Sequence, residues 1–181
     1  MLTGREHLTA LIGAAPAGDE ALERDRLLMA HLAATLDEPV DRATRPGHFT
    51  GSALVLHPPS TSTLLLFHAK LQRWVQPGGH ADGEFDLAAV ALREAYEETG
   101  LSNLRVVANP IDVDIHLVRP PSEDAHLHLD VRFLVIADDQ NASINEESEA
   151  MRWCSLDELP ALVVDHGLLR LAERGFAELS I

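Results

Sequence analysis

Residues 74–101 read WVQPGGHADGEFDLAAVALREAYEETGL, and the fold and chemistry of the chain are read outward from this stretch. Glu94, Glu97 and Glu98 stand at i, i+3 and i+4, which on a helix gathers three carboxylates on one face within a turn. Like charges so close weaken an isolated helix by a few tenths of a kcal/mol per pair. The spacing admits a solvated acidic face as well as a site for a hard cation, since Mg²⁺ takes oxygen ligands from a few carboxylates and substrate phosphates. Asp86 is a good N-cap for a helix over 87–99, with Phe85 and Val90 at the two positions of a hydrophobic staple. Gly100 suits the left-handed position that ends it.

The same stretch resembles the Nudix box, G-x5-E-x7-R-E-U-x-E-E-x-G-U, where U is aliphatic. Gly79, Arg93, Glu94, Glu97, Glu98, Gly100 and Leu101 fall on its register, with Ala95 at the first U. One position departs: the first Glu of the pattern maps onto Phe85, flanked by Glu84 and Asp86. The resemblance implies an α/β/α sandwich with a mixed β-sheet over residues 46–181, preceded by an N-terminal helical extension over residues 1–45. It also implies Mg²⁺ or Mn²⁺ held by Glu94, Glu97, Glu98 and the Gly78 carbonyl, with Arg93 orienting the cluster. A further carboxylate from a later loop, with Glu146, Glu147 and Glu149 as candidates, would act as base or extra ligand. The activity implied is hydrolysis of a diphosphate linkage in a nucleotide-like compound. The alternative is a module of the same fold that binds a nucleotide without cleaving it. Isopentenyl-diphosphate isomerases share the fold, and Cys154 would be their kind of thiol, but it stands in an expected strand far from the box. The window Ile115–Val118 contains neither the Pro nor the Tyr that marks two substrate subgroups of the family, so the particular diphosphate stays open.

Composition narrows the partners. The 14 basic and 29 acidic residues leave a net charge of −15, which argues against a nucleic-acid backbone or an anionic membrane as partner. A small phosphorylated substrate remains compatible where divalent cations mediate. One cysteine excludes an internal disulfide framework. No apolar run approaches a membrane span. Leu8–Ala17 is faintly leader-like, but Glu6 precedes it and Gly13 and Pro16 interrupt it, so a cytoplasmic protein is expected.

Helical periodicity runs over 4–14 and 18–36, the second carrying Leu22, Leu27, Leu28, Leu32 and Leu36. The plain reading is a hairpin packed on the main domain; the sharper one is a lid, or a homodimer formed through these helices. From His48 the pattern becomes strand-like, and FTGSALVLH and STLLLFHA, separated by HPPST, read as a hairpin or meander. Leu104–Val107, Ile111–Val118 and His126–Ala137 are further strands, and MRWCSL another. Ser155–Glu158 reads as a capping box opening a short helix that Pro160 stops, and a last amphipathic helix covers 165–179. In Ile111–Val118, Asp112, Asp114 and His116 share one face; in His126–Ala137, His126, His128, Asp130 and Arg132 do. If the two strands pair about Ser122, His116 faces His128, Asp114 faces Asp130 and Asp112 faces Arg132. Directly opposed carboxylates are unfavourable. This face, His116, His128, Asp130 and Arg132 above all, is therefore expected to border the substrate.

Overall fold

The computed structural model describes residues 3–120 and 123–179, so the expected turn about Ser122 lies outside it. Two helices come first, α1 (Gly4–Ala14) and α2 (Glu20–Thr35), capped by Thr3 and Asp19. Seven strands follow: β1 (Gly47–His57), β2 (Ser62–His68), β3 (Arg73–Val75), β4 (Gly78–His80), β5 (Leu104–Val118), β6 (His126–Ala137) and β7 (Ser148–Cys154). Helix α3 (Leu87–Thr99) separates β4 from β5, and α4 (Leu159–Leu162) and α5 (His166–Glu178) close the chain. The strands form one sheet ordered β3-β2-β1-β6-β5, with β4 pairing on β1 and β7 on β2. β1 runs parallel to β6 and every other pairing is antiparallel, so the sheet is mixed.

Side-chain alternation assigns the layers. Phe49, Ala53 and Val55 of β1 join Leu129, Val131 and Phe133 of β6 on one face, under α1, α2 and α3. Leu54 and Leu56, with Leu134 and Ile136, point to the other face, under α4 and α5. The result is an α/β/α sandwich. Leu8, Ile12 and Met29 from the two N-terminal helices are fully buried in the first core, so the leader-like residues of α1 are core residues here. In α2 the buried stripe is Leu22, Met29 and Ala33, while Leu27 and Leu28 are exposed; the expected leucine stripe is rotated toward solvent.

Three local expectations change in detail. The β1–β2 hairpin is paired only at Leu56–Thr63 and His57–Ser62, because β2 is claimed by β3 and β7. The two segments expected at 104–107 and 111–118 are one strand, kinked by register shifts around Pro110, which lacks a ladder donor. Pro160 does not stop the helix after the Ser155 capping box; it sits in the first turn of α4, where its missing N–H costs nothing.

Helix α3 begins and ends where its sequence dictates. Asp86 accepts from the Ala89 N–H at 3.2 Å, and Gly100 takes φ 64°. Phe85 packs against the core that contains Val90, and it also meets α1: a Cβ on Gly4 would lie 2.6 Å from its ring. The aromatic at the departing position thus docks the N-terminal helix.

Candidate active site

A cleft of about 1130 Å³ opens beside α3 and β4. Glu94, Glu97 and Glu98 all line it, as do Gly78, Gly79 and Arg93. β4 holds the helix close. The Gly78 N–H donates to Glu98 Oε2 at 3.0 Å, and a Cβ on Gly79 would come within 2.5 Å of the Glu94 carboxyl carbon. A side chain at 79 would displace the Glu94 carboxylate from that position. Arg93 donates to Glu94 Oε1 at 2.8 Å and to the His80 carbonyl at 2.9 Å. Although adjacent residues on a helix diverge, the long guanidinium curls back onto its neighbour and ties α3 to β4.

The carboxylates are short of positive charge. Burial pushes Glu98 up to about 8, against the lowering by the Gly78 N–H, with Glu94, Glu147 and Glu97 adding repulsion. Burial also raises Glu94, which Arg93 partly offsets. Hard oxygen donors whose ionised forms lack a counter-charge at a cleft wall fit Mg²⁺ or Mn²⁺, whose charge would favour ionisation. Of the three later acids, Glu147 lines the cleft and its charge acts on Glu94 and Glu98. Glu149 is exposed and accepts from Gln72 at 3.0 Å, and Glu146 is exposed outside the lining. Cys154 is fully buried in the apolar cluster under α4 and α5, away from the cleft lining, which leaves the isomerase reading without its thiol.

The polar face of β5 and β6 has the register expected: His116 opposite His128, Asp114 opposite Asp130, Asp112 opposite Arg132. What resolves the opposed carboxylates is Arg132. Its guanidinium, 3% exposed, donates to Asp130 Oδ2 at 2.8 Å and lies 3.0 Å from Asp114 and 3.4 Å from Asp112. Burial favours the neutral arginine, but the three carboxylates more than reverse that and keep it charged. Arg170 and Arg174 reach down from α5 to Asp112 at 2.9 and 3.1 Å. Thr50 and Ser52 of β1 donate to Asp130 Oδ1 at 3.0 and 2.8 Å. Asp130 and Arg132 are therefore committed to one another and to the sheet, although both border the cleft.

Toward the strand ends this face becomes histidine. The parallel register sets His48 beside His128, and His80 on β4 pairs with Thr50, two residues along β1. Ring centroids of His48, His80, His126 and His128 lie 4.9 to 5.4 Å apart where they touch, with His116 5.5 Å from His128. Burial first, and the neighbouring imidazoles second, hold His128 down at about 3 and His48 at about 4, so both are neutral at neutral pH. His48 and the α5 arginines escaped the sequence reading: nothing local announces a parallel β1–β6 pairing, or which helix face meets Asp112.

The mixed sheet, the helical layers and a glutamate-bearing helix against a glycine turn define an α/β/α sandwich with an acidic cleft at one helix. A family model of the NUDIX domain matches residues 48–173, and the chain belongs to that family. Solved structures agree on the fold. A NUDIX family hydrolase from Clostridium perfringens superimposes with TM-score 0.58 at 23% identity, covering 74% of this chain and 96% of its own. The NUDIX domain of Shewanella oneidensis NrtR, solved with ADP ribose, gives 0.57 at 19%, covering 83% and 97%. A C. elegans Ap4A hydrolase gives 0.54 at 17%, covering 72% and 98%. No curated protein matches the chain by sequence.

Proposed function

We propose that this protein hydrolyses a diphosphate linkage in a nucleotide-like substrate, using Mg²⁺ or Mn²⁺. The observation that carries this is the set of three carboxylates on one face of α3 lining a cleft, with Glu94 and Glu98 held against β4 and a single guanidinium, Arg93, paired to Glu94. Glu94, Glu97 and Glu98 would hold the cation, with the Gly78 carbonyl. When bound, the metal lowers the pKa of water and neutralises charge on the phosphoryl oxygens.

The chain's own groups set the rest. Arg93 fixes the Glu94 rotamer, and the Gly78 N–H fixes that of Glu98. Glu147, which lines the cleft, would take a proton from the attacking water. Lys70, Arg73 and Arg119 line the same cleft and offer positive charge to phosphates. Leu71 and Leu117, 51% and 46% exposed there, offer apolar surface to a base or sugar. That two structural neighbours are described as an Ap4A hydrolase and a domain bound to ADP ribose supports a nucleotide as the substrate class.

The test is turnover of a panel of nucleoside-diphosphate compounds with Mg²⁺. Glu97→Gln and Glu98→Gln should each lower turnover by about a hundredfold or more while the melting curve persists. Binding of the panel without metal-dependent turnover would replace the hydrolase with a binding module.

A further inference from the structure

Successive residues of β4 face opposite ways: Gly79 abuts Glu94, whereas His80 turns its ring onto His48 and His128. The second side is chemically distinct from the first, since its donors are imidazoles. We propose that His48, His126 and His128 bind a transition-metal dication of the Zn²⁺ class, at a site separate from the carboxylates of α3.

Three independent features of the cluster carry this. One nitrogen of each ring lies within 4.8 Å of the others. Tetrahedral nitrogen ligands at 2.0–2.1 Å from zinc stand roughly 3.3 Å apart, so the nitrogens need close by at most about 1.5 Å. Next, His48 is 1% exposed and neither ring nitrogen has a hydrogen-bond partner. The Thr44 backbone lies close enough to favour the charged ring, but not in the geometry of a formed hydrogen bond. A buried imidazole without partners is costly unless something supplies them. Finally, His126 Nδ1 meets the Asp124 carbonyl oxygen at 2.8 Å. A carbonyl can only accept, so Nδ1 carries the proton and the Nε2 lone pair is left free, the arrangement that backs metal-ligating histidines.

The neighbours favour a cation over a bound phosphate. His116 is held by Asp114 at 2.9 Å and meets His128 edge-on, and His80 lies edge-on to His128 and tilted against His48, so further imidazoles border the three. Phosphate would call for protonated rings, and imidazoles 4.9 to 5.5 Å apart repel one another once charged. Neutral imidazole donors prefer Zn²⁺, Co²⁺, Ni²⁺ or Cu²⁺ to Mg²⁺.

The experiment is equilibrium dialysis of the full chain against Zn²⁺ in excess Mg²⁺, with the visible spectrum of the Co²⁺-loaded protein. Wild type should retain stoichiometric Zn²⁺, as should the Glu97→Gln/Glu98→Gln double variant, and Co²⁺ should give the intense absorption of a tetrahedral nitrogen-rich site. His126→Gln and His128→Gln should each weaken Zn²⁺ binding by about a hundredfold or more, beyond what loss of an outer-shell partner costs. No retained Zn²⁺, a weak octahedral Co²⁺ spectrum, or binding that vanishes in the glutamate double variant and survives in the histidine variants would overturn the site. Should a histidine variant fail to fold, wild type and the glutamate double variant still decide. Neither result depends on turnover, so failure of the hydrolase reading would leave this one standing.

Discussion

Arg132 meets three carboxylates with almost no water present, and its deletion should be the most destructive single change on the polar face. Arg132→Met leaves Asp112, Asp114 and Asp130 with less compensation in a buried setting, which should cost about 3–5 kcal/mol in urea unfolding. The exposed pair Arg105–Asp138, at 3.5 Å, gives the contrast: Arg105→Met should cost less than about 1 kcal/mol. Asp114 supplies a pH signature. Burial pushes its carboxyl up, but the His116 hydrogen bond and the Arg132 charge prevail and hold it at about 2, below its usual 3.8. The folded protein therefore binds fewer protons than the unfolded chain in that interval. The stabilisation, about 2 kcal/mol, is complete above about pH 4 and drains away as the pH falls toward 2. Acid unfolding of Asp114→Asn should be correspondingly flatter in that window.

At the scale of elements, α3 was legible because its signals are local: an Asp cap, a periodic apolar face, a terminal Gly and three acids at helical spacing. The β5–β6 register was legible as well, since two alternating segments joined by a short polar loop admit few pairings that keep their apolar residues inside. The histidine cluster was only half legible. His116, His126 and His128 lie on the antiparallel pair, but His48 arrives through a parallel contact between strands 69 or more residues apart in sequence, for which no local pattern exists. Phe85 shows a local signal with a distant partner. Its spacing predicts a staple within α3, and it also supports α1. Phe85→Ala should cost about 2 kcal/mol, less than for a fully buried Phe, and should speed amide exchange in Leu8–Ile12 while turnover per folded molecule changes little. Phe85→Glu should lose the same contact and gain no activity. A large rise in turnover would show that the carboxylate absent from the box matters to the chemistry.

For the whole molecule, the seam expected near residue 46 does not divide the hydrophobic core. Leu8, Ile12 and Met29 are fully buried in the cluster that holds Val113, Val131 and Phe133. A chain reduced to residues 46–181 would expose that face, and it should be far less soluble and melt lower than the full chain, measured by soluble yield and thermal unfolding. Between α1 and the box Gly4 abuts Phe85, where a Cβ would lie 2.6 Å from the ring. Considered as inheritance, these two positions form a single character, although 80 intervening residues separate them. A mutation that enlarges residue 4 would select for a smaller residue at 85, and the reverse order would be equally constrained. A chain without the first helix would free position 85 of that contact, so an acid there would cost the joint nothing.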